Sequence, residues 1–221
     1  MSISGKADSS VIAAVDAFLD DLALGRSPRT IATYRAALRR FLAYLEVYVV
    51  SPETLPVGKL SVDYVVDFTR WLGRSGPSLP KRTLFTYTTA VVRFYAFLVR
   101  EECAPSLPLA QLQLRLRSLR GRQPAALPRV PATEAIEAIL AAARAVPPGP
   151  DDRLECLRLR NVALIEVLRG SGLRVSEVVA LRRGDLNAAE RTAVVTGKGG
   201  KPRLVYFTAA AWRALEDYFA A

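Results

Sequence analysis

Histidine is absent from this 221-residue chain. Its absence excludes a histidine general base, a Ser-His triad and any histidine-ligated metal. Cysteine is scarce too. Cys103 and Cys156 lie far apart and outside any Cys-x-x-Cys pattern, so they support neither a disulfide framework nor a zinc site, and they suit a reducing cytoplasm. No apolar run approaches the ~18 residues of a membrane span, and the polar start from Met1 to Ser10 lacks the apolar centre of a secretory signal. The sequence therefore predicts a cytoplasmic protein with no membrane partner and no metal. Acidic residues are also in deficit: 21 Asp and Glu face 31 Lys and Arg, a net charge of +10. That imbalance attracts polyanions, nucleic acid foremost, and says nothing about fold. With 51% apolar residues, a sizeable core is available.

What is present reads mainly as helix. Val11, Val15, Phe18, Leu19 and Leu22 repeat at helical spacing. Ser27-Pro28 offers an N-cap followed by proline at the first helical position, opening a second helix with Ile31, Tyr34, Leu38, Phe41 and Leu45 on its apolar side. Arg29, Thr33 and Arg40 share its other side. Ser61 caps a third helix through Val65, Phe68 and Leu72. A fourth runs from Lys81 to Arg100, with Arg82, Thr86, Thr89, Arg93 and Arg100 on a stripe opposite Leu84. Cations alternating with hydroxyls suit a helix laid along a nucleic-acid backbone, because both residue types donate to phosphate oxygens.

From Cys103 to Thr133 prolines and scattered leucines accompany Arg115, Arg117, Arg120, Arg122 and Arg129, with no acidic residue. This reads as a basic inter-domain linker that crosses a polyanion. Thr133 is the expected cap of the next helix, and Arg153 to Arg169 forms another. It delivers the chain to Gly170-Ser171-Gly172-Leu173-Arg174-Val175-Ser176-Glu177. Here glycines break one helix, and Ser176 with Glu177 is expected to start a second, leaving Arg174 at a rigid corner. Two short strands, Ala193–Val195 and Arg203–Phe207, flank a Gly197-Lys198-Gly199-Gly200-Lys201 turn as a β-hairpin, and a last helix carries Trp212, Leu215 and Phe219.

An arginine fork at a fixed corner can hold two phosphate oxygens, and a lysine at a hairpin tip can release a proton to a departing oxygen. Three segments carrying these residues resemble the tyrosine recombinases, the phage-integrase and Xer-type family. They are Thr30-Ile31-Ala32-Thr33-Tyr34 with the following Leu-Arg-Arg-Phe-Leu run; Gly172 to Glu177 with Leu181 and Asp185; and Val195 to Lys201 followed by Arg203-Leu204-Val205. The resemblance implies a mainly α protein: a four-helix SAM-like core-binding domain over 1–104, a linker over 105–131, and a partial α+β catalytic domain with a β-hairpin over 132–221. It also implies site-specific DNA recombination through a 3′-phosphotyrosyl intermediate, without metal, ATP or other cofactor.

By the same resemblance Arg174 is the first catalytic arginine, Glu177 its acidic support and Lys198 the general acid, with Lys201 as the alternative lysine. Duplex DNA is the implied partner, with other recombinase protomers. Arg29, Thr30, Thr33, Arg40, Lys81, Arg82, Thr86, Arg93, Arg115, Arg117, Arg120, Arg122, Lys201 and Arg203 are the implied DNA contacts. The family's His-x-x-Arg motif and nucleophilic tyrosine have no counterpart in these residues, and Tyr206 and Tyr218 read as structural. The expectation is a C-terminally truncated, inactive DNA-binding fragment. The alternatives are a non-catalytic module occupying recombination sites and a helical interaction protein whose basic surface is incidental.

Overall fold

Ser10 and Ser27 each open a helix by accepting a backbone N–H, from Ala13 and from Thr30 respectively, which satisfies one orphan donor of the first turn. In the computed structural model these helices are α1, Val11–Ala23, and α2, Pro28–Tyr48, the latter with proline in its first turn. The structure describes residues 7–74, 79–120, 130–145, 152–197 and 200–221, apart from the side chains of Arg120 and Asp152. The chain divides into two compact units, Met1–Ala125 and Ala126–Ala221.

In the first unit α1 and α2 are followed by a 3-10 turn at Val57–Lys59, then α3 (Val62–Arg74), α4 (Lys81–Arg100) and α5 (Leu109–Arg120). Ser61 accepts from the N–H of Asp63 at the start of α3. Apolar residues at three- and four-residue spacing on each helix converge on one aromatic core. The Phe41 ring lies 5.2 Å from Phe68 and 6.1 Å from Tyr95, and Phe18 lies 5.3 Å from Phe97. Tyr95 is fully buried, and its hydroxyl donates to the Ser61 carbonyl at 3.0 Å.

Helix α5 differs from expectation, because it lies inside the stretch read as a linker over 105–131. Leu112 and Leu116, one turn apart, are buried in the first unit's core, and Arg115 pairs with Asp63 of α3. The leucines that look scattered in sequence form the buried stripe of a fifth helix.

The second unit comprises α6 (Thr133–Arg144), α7 (Asp152–Ser171), α8 (Val175–Ala180), three strands and α9 (Ala209–Ala220). Thr133 is the first residue of α6, and Ala132 holds the N-cap position without a side-chain bond. The strands β1 (Leu186–Asn187), β2 (Thr192–Thr196) and β3 (Pro202–Tyr206) form an antiparallel sheet in that order. Strand β1 falls where sequence suggested only a turn-rich exit. Val195 faces Arg203 and Ala193 faces Val205 across β2 and β3. The sheet's buried face meets Val167 of α7, Val178 of α8 and Leu173 between them, and Phe207, Trp212 and Leu215 from the chain's last turn and helix.

The close packing of α7 on α9 depends on Gly170. A Cβ there would lie 2.5 Å from the Oγ1 of Thr208, the hydroxyl that caps α9 by accepting from the Ala211 N–H. Among the described residues no helix is long and apolar enough to cross a membrane.

Candidate functional site

Helix α7 ends at Ser171, and Gly172 follows with φ +65, a left-handed conformation that glycine adopts without a Cβ penalty. The chain re-enters helix at Val175, so the N-cap of α8 is Arg174 itself, extended at φ −75, ψ 152. This corrects the expected start at Ser176. Arginine has no side-chain acceptor for the helix N-terminus; Glu177, three residues on, reaches back instead. Its Oε2 accepts from the Arg174 backbone N–H at 2.8 Å, and its Oε1 accepts from Arg174 Nη1 at 2.8 Å.

A second arginine meets the same carboxylate. Arg203 of β3 donates from Nη1 to Oε1 at 2.9 Å and from Nη2 to Oε2 at 3.0 Å. The Glu177 side chain is 7% exposed, against 65% for Arg174 and 38% for Arg203. The bonds from Arg203, then that from the Arg174 backbone, hold the Glu177 carboxyl at about 2, well below its ordinary value. The two arginines that hold this carboxylate line, with Gly172, Gly197, Lys201 and Pro202, a cavity of about 410 Å³. Three cations around one small cavity are an arrangement that suits an anion such as a phosphate.

The structure thus brings together Arg174, Glu177, Lys201 and Arg203 of the residues singled out in sequence. Lys198 lies outside the described residues, as do Arg122 and the side chain of Arg120. Arg203, expected to contact DNA directly, spends both terminal nitrogens on Glu177. Sequence held a signal for this: Arg203 has the parity of Val205, the inward-facing residue of β3. Tyr206 is exposed, whereas Tyr218 lines a separate cavity of about 400 Å³ with Leu164, Leu215 and Phe219 and with Arg160, Arg182 and Arg183.

In the first unit Arg29 and Arg40 of α2, and Lys81, Arg82 and Arg93 of α4, are exposed, as is Arg117 of α5. Five other residues are engaged inside the unit. Arg115 is tied to Asp63, and that bond, with one from Ser61, lowers the Asp63 carboxyl below its usual range. Arg100, on the cationic stripe, bonds Asp21 and Glu101 and lies over the Phe97 ring. Thr30 shares a hydroxyl contact with the cap residue Ser27. Thr33 and Thr86 donate their hydroxyl protons to the carbonyls of Arg29 and Arg82, one helical turn back.

Among the described residues five helices form one unit and a three-stranded sheet flanked by helices the other, and both parts of the chain match phage-integrase profiles. The family profile described as "Phage integrase, N-terminal SAM-like domain" matches residues 15–102, and that described as "Phage integrase family" matches residues 131–221. The chain belongs to this family, the Xer-like tyrosine recombinases. It is 36% identical over 211 residues to the tyrosine recombinase XerD of Bradyrhizobium diazoefficiens, covering 92% of this chain and 61% of that protein. It is 31% identical over 196 residues to the tyrosine recombinase XerC of Myxococcus xanthus, covering 89% of this chain and 58% of that one. The chain spans about 60% of the length of these curated relatives. In fold it is similar to the Tn1549 transposon integrase, solved in complex with a circular intermediate DNA, with a TM-score of 0.59 at 16% identity over 94% of this chain and 64% of that one.

Proposed function

We propose that this chain binds duplex DNA for site-specific recombination, with the first unit holding the duplex and the second gripping one backbone phosphate through Arg174. The observation that carries this reading is the cavity lined by Arg174, Lys201 and Arg203, the two arginines sharing the buried Glu177 carboxylate, in a chain of the phage integrase family. Residues 1–104 act as the core-binding part, 132–221 as part of a catalytic domain, and 105–131 as the basic stretch between them, whose helix α5 is docked on the core-binding part. Arg29, Arg40, Lys81, Arg82, Arg93 and Arg117 supply exposed charge for sequence-independent phosphate contacts, which position the protein without reading bases.

In the full reaction a tyrosine oxygen attacks the phosphorus as the P–O5′ bond breaks. The 5′ oxygen leaves with a proton from Lys198, and the energy of the broken ester is kept in the 3′-phosphotyrosyl bond, so no high-energy cofactor is consumed. The fork of Arg174 stabilises the charge that builds on the non-bridging oxygens. The reaction takes place in the cytoplasm and joins several protomers on DNA. These 221 residues supply the arginine and the lysine. A non-catalytic DNA-binding module is the second reading, favoured by the position of Tyr218, which lines a cavity separate from that of Arg174.

Fluorescence anisotropy with a labelled duplex tests the proposal. Affinity should fall steeply with salt, by a slope of about −0.9 per phosphate contacted, and both Arg174→Ala and the pair Arg82→Ala with Arg93→Ala should weaken it. A salt-independent affinity sinks the DNA reading, and unchanged binding of the paired variant removes α4 from the interface. On a nicked suicide duplex the 221-residue chain should form no covalent adduct. An adduct abolished by Tyr218→Phe would make Tyr218 the nucleophile.

A further inference from the structure

We propose that Arg203 is a positioning residue. By gripping both oxygens of Glu177 it fixes the carboxylate that holds Arg174, so that the helix corner and strand β3 present Arg174 to a phosphate as one unit. The inference rests on reading Arg174 as the phosphate donor and assigns a role to a second arginine of the same site.

Four donors converge on the Glu177 carboxylate: the backbone N–H and Nη1 of Arg174, and Nη1 and Nη2 of Arg203. An ionised carboxylate offers about four lone-pair sites. The group is therefore saturated, and rotation about its last torsion would break at least two charge-assisted bonds. Arg174 alone would hold the carboxylate from one short segment of chain, residues 174–177. Arg203 adds a grip from a different element and in fork-to-fork geometry, which a single point charge does not reproduce.

The placement of Arg203 in the sheet favours this role over direct contact with a ligand. It stands opposite Val195 in the β2–β3 register and shares the inward parity of Val205, so it points down onto Glu177 rather than out from the hairpin. Among the described residues the Arg174 guanidinium is engaged through Nη1 alone, and its side chain is two-thirds exposed. Arg174 also lines the cavity. A bare carboxylate at this point would repel a phosphate, and a second guanidinium turns the three groups into a unit of net charge +1. Arg203 thus supplies charge and orientation together, and lysine separates the two: it keeps the charge and loses the fork.

The test uses the 221-residue chain and its Arg203→Lys, Arg174→Ala and doubly substituted variants. The affinity for a labelled mixed-sequence duplex is measured at fixed low salt, and the guanidinium resonance of Arg174 is followed by nitrogen-15 NMR. Arg203→Lys should lose affinity on the order of tenfold despite its unchanged charge. It should lose nothing further in the Arg174→Ala background, and the Arg174 resonance should collapse to that of a freely rotating guanidinium. Wild-type affinity and an unchanged resonance in Arg203→Lys would overturn the proposal, as would losses from the two positions that multiply independently.

If Arg174→Ala itself leaves affinity unchanged, the phosphate reading fails. The resonance then decides the positioning role alone, collapse supporting it and persistence overturning it. Should Arg203→Lys fail to fold, Arg203→Gln takes its place, with the same loss and collapse expected and wild-type behaviour counting against the proposal.

Discussion

In the first unit the buried polar groups among the described residues include hydroxyls: Tyr95, which donates to the Ser61 carbonyl, and Thr69 and Thr88, bonded to each other at 3.2 Å and to carbonyls of their own helices. In the second they include two carboxylates, Glu166 and Glu177, each held by arginine. Paired hydroxyls sit in a hydrocarbon core at little cost, and around them the first unit is a rigid aromatic scaffold with its charges outside. Buried carboxylates are costly to desolvate and contribute little net stability even when paired. What they provide is fixed geometry, and at Glu177 that geometry holds the two arginines that line the cationic cavity. One unit is built to be stable, and the other gives up stability to hold charges in place.

The two tryptophans allow this contrast to be challenged directly. Trp71 packs in the first unit against Tyr44 and Phe68, and Trp212 packs in the second against Phe207, so single-tryptophan variants report each unit separately. The largest effect should come from Phe41→Ala, which empties a fully buried site and should destabilise the first unit by about 3–5 kcal/mol. In urea titrations the Trp71 transition should shift and the Trp212 transition should stay. A common shift would show that the two units unfold together.

Next in size is Gly170→Ala. The added methyl meets the Thr208 hydroxyl, and relief by rotation would forfeit the α9 cap, so about 1–3 kcal/mol of second-unit stability should be lost. The Trp212 midpoint measures it, and an unchanged midpoint would mean that α7 and α9 yield more readily than their packing implies.

A smaller and pH-bound effect follows from Glu177. Above about pH 4.5 its carboxyl is ionised whether the chain is folded or not, and its stabilisation is complete. As pH falls from 4.5 toward the folded value of about 2, the unfolded chain takes up a proton that the folded unit resists, and stability drops. Glu177→Gln should flatten the Trp212 midpoint across that window at constant ionic strength, and a slope identical to wild type would place the titrating group elsewhere. The smallest change belongs to Arg100→Ala. Its ion pairs with Asp21 and Glu101 are more than half exposed on the arginine side, so the Trp71 midpoint should move by less than about 1 kcal/mol.

Sequence periodicity located α1 to α4, the hairpin and the helix break at Gly172, because each of these depends on a local face or a local glycine. It missed features that depend on a partner far along the chain. The leucines of α5 show as a stripe only once α3 is there to cover them, and Arg115 finds Asp63 across 52 residues. Arg203 reads as one more cation until β3 is paired and turns it onto Glu177, 26 residues earlier. The cap at Arg174 was misplaced for a different reason. Composition favours serine as a cap, yet here the acceptor is the glutamate three residues on, and any residue with extended backbone can occupy the cap position itself.

The contact between Glu177 and Arg203 also closes a ring of chain. Everything between them, from the end of α8 through β1, β2 and the hairpin turn, is a loop whose ends are held by two parallel hydrogen bonds. Closing such a loop removes configurational freedom that grows only slowly with its length, so the contact restrains the segment much as a crosslink would. Cys103 and Cys156 lie in different units; the second unit makes this closure with charge instead of sulfur. Such a staple is indifferent to reducing agents, is weakened by acid, and can reseal once the pH is restored.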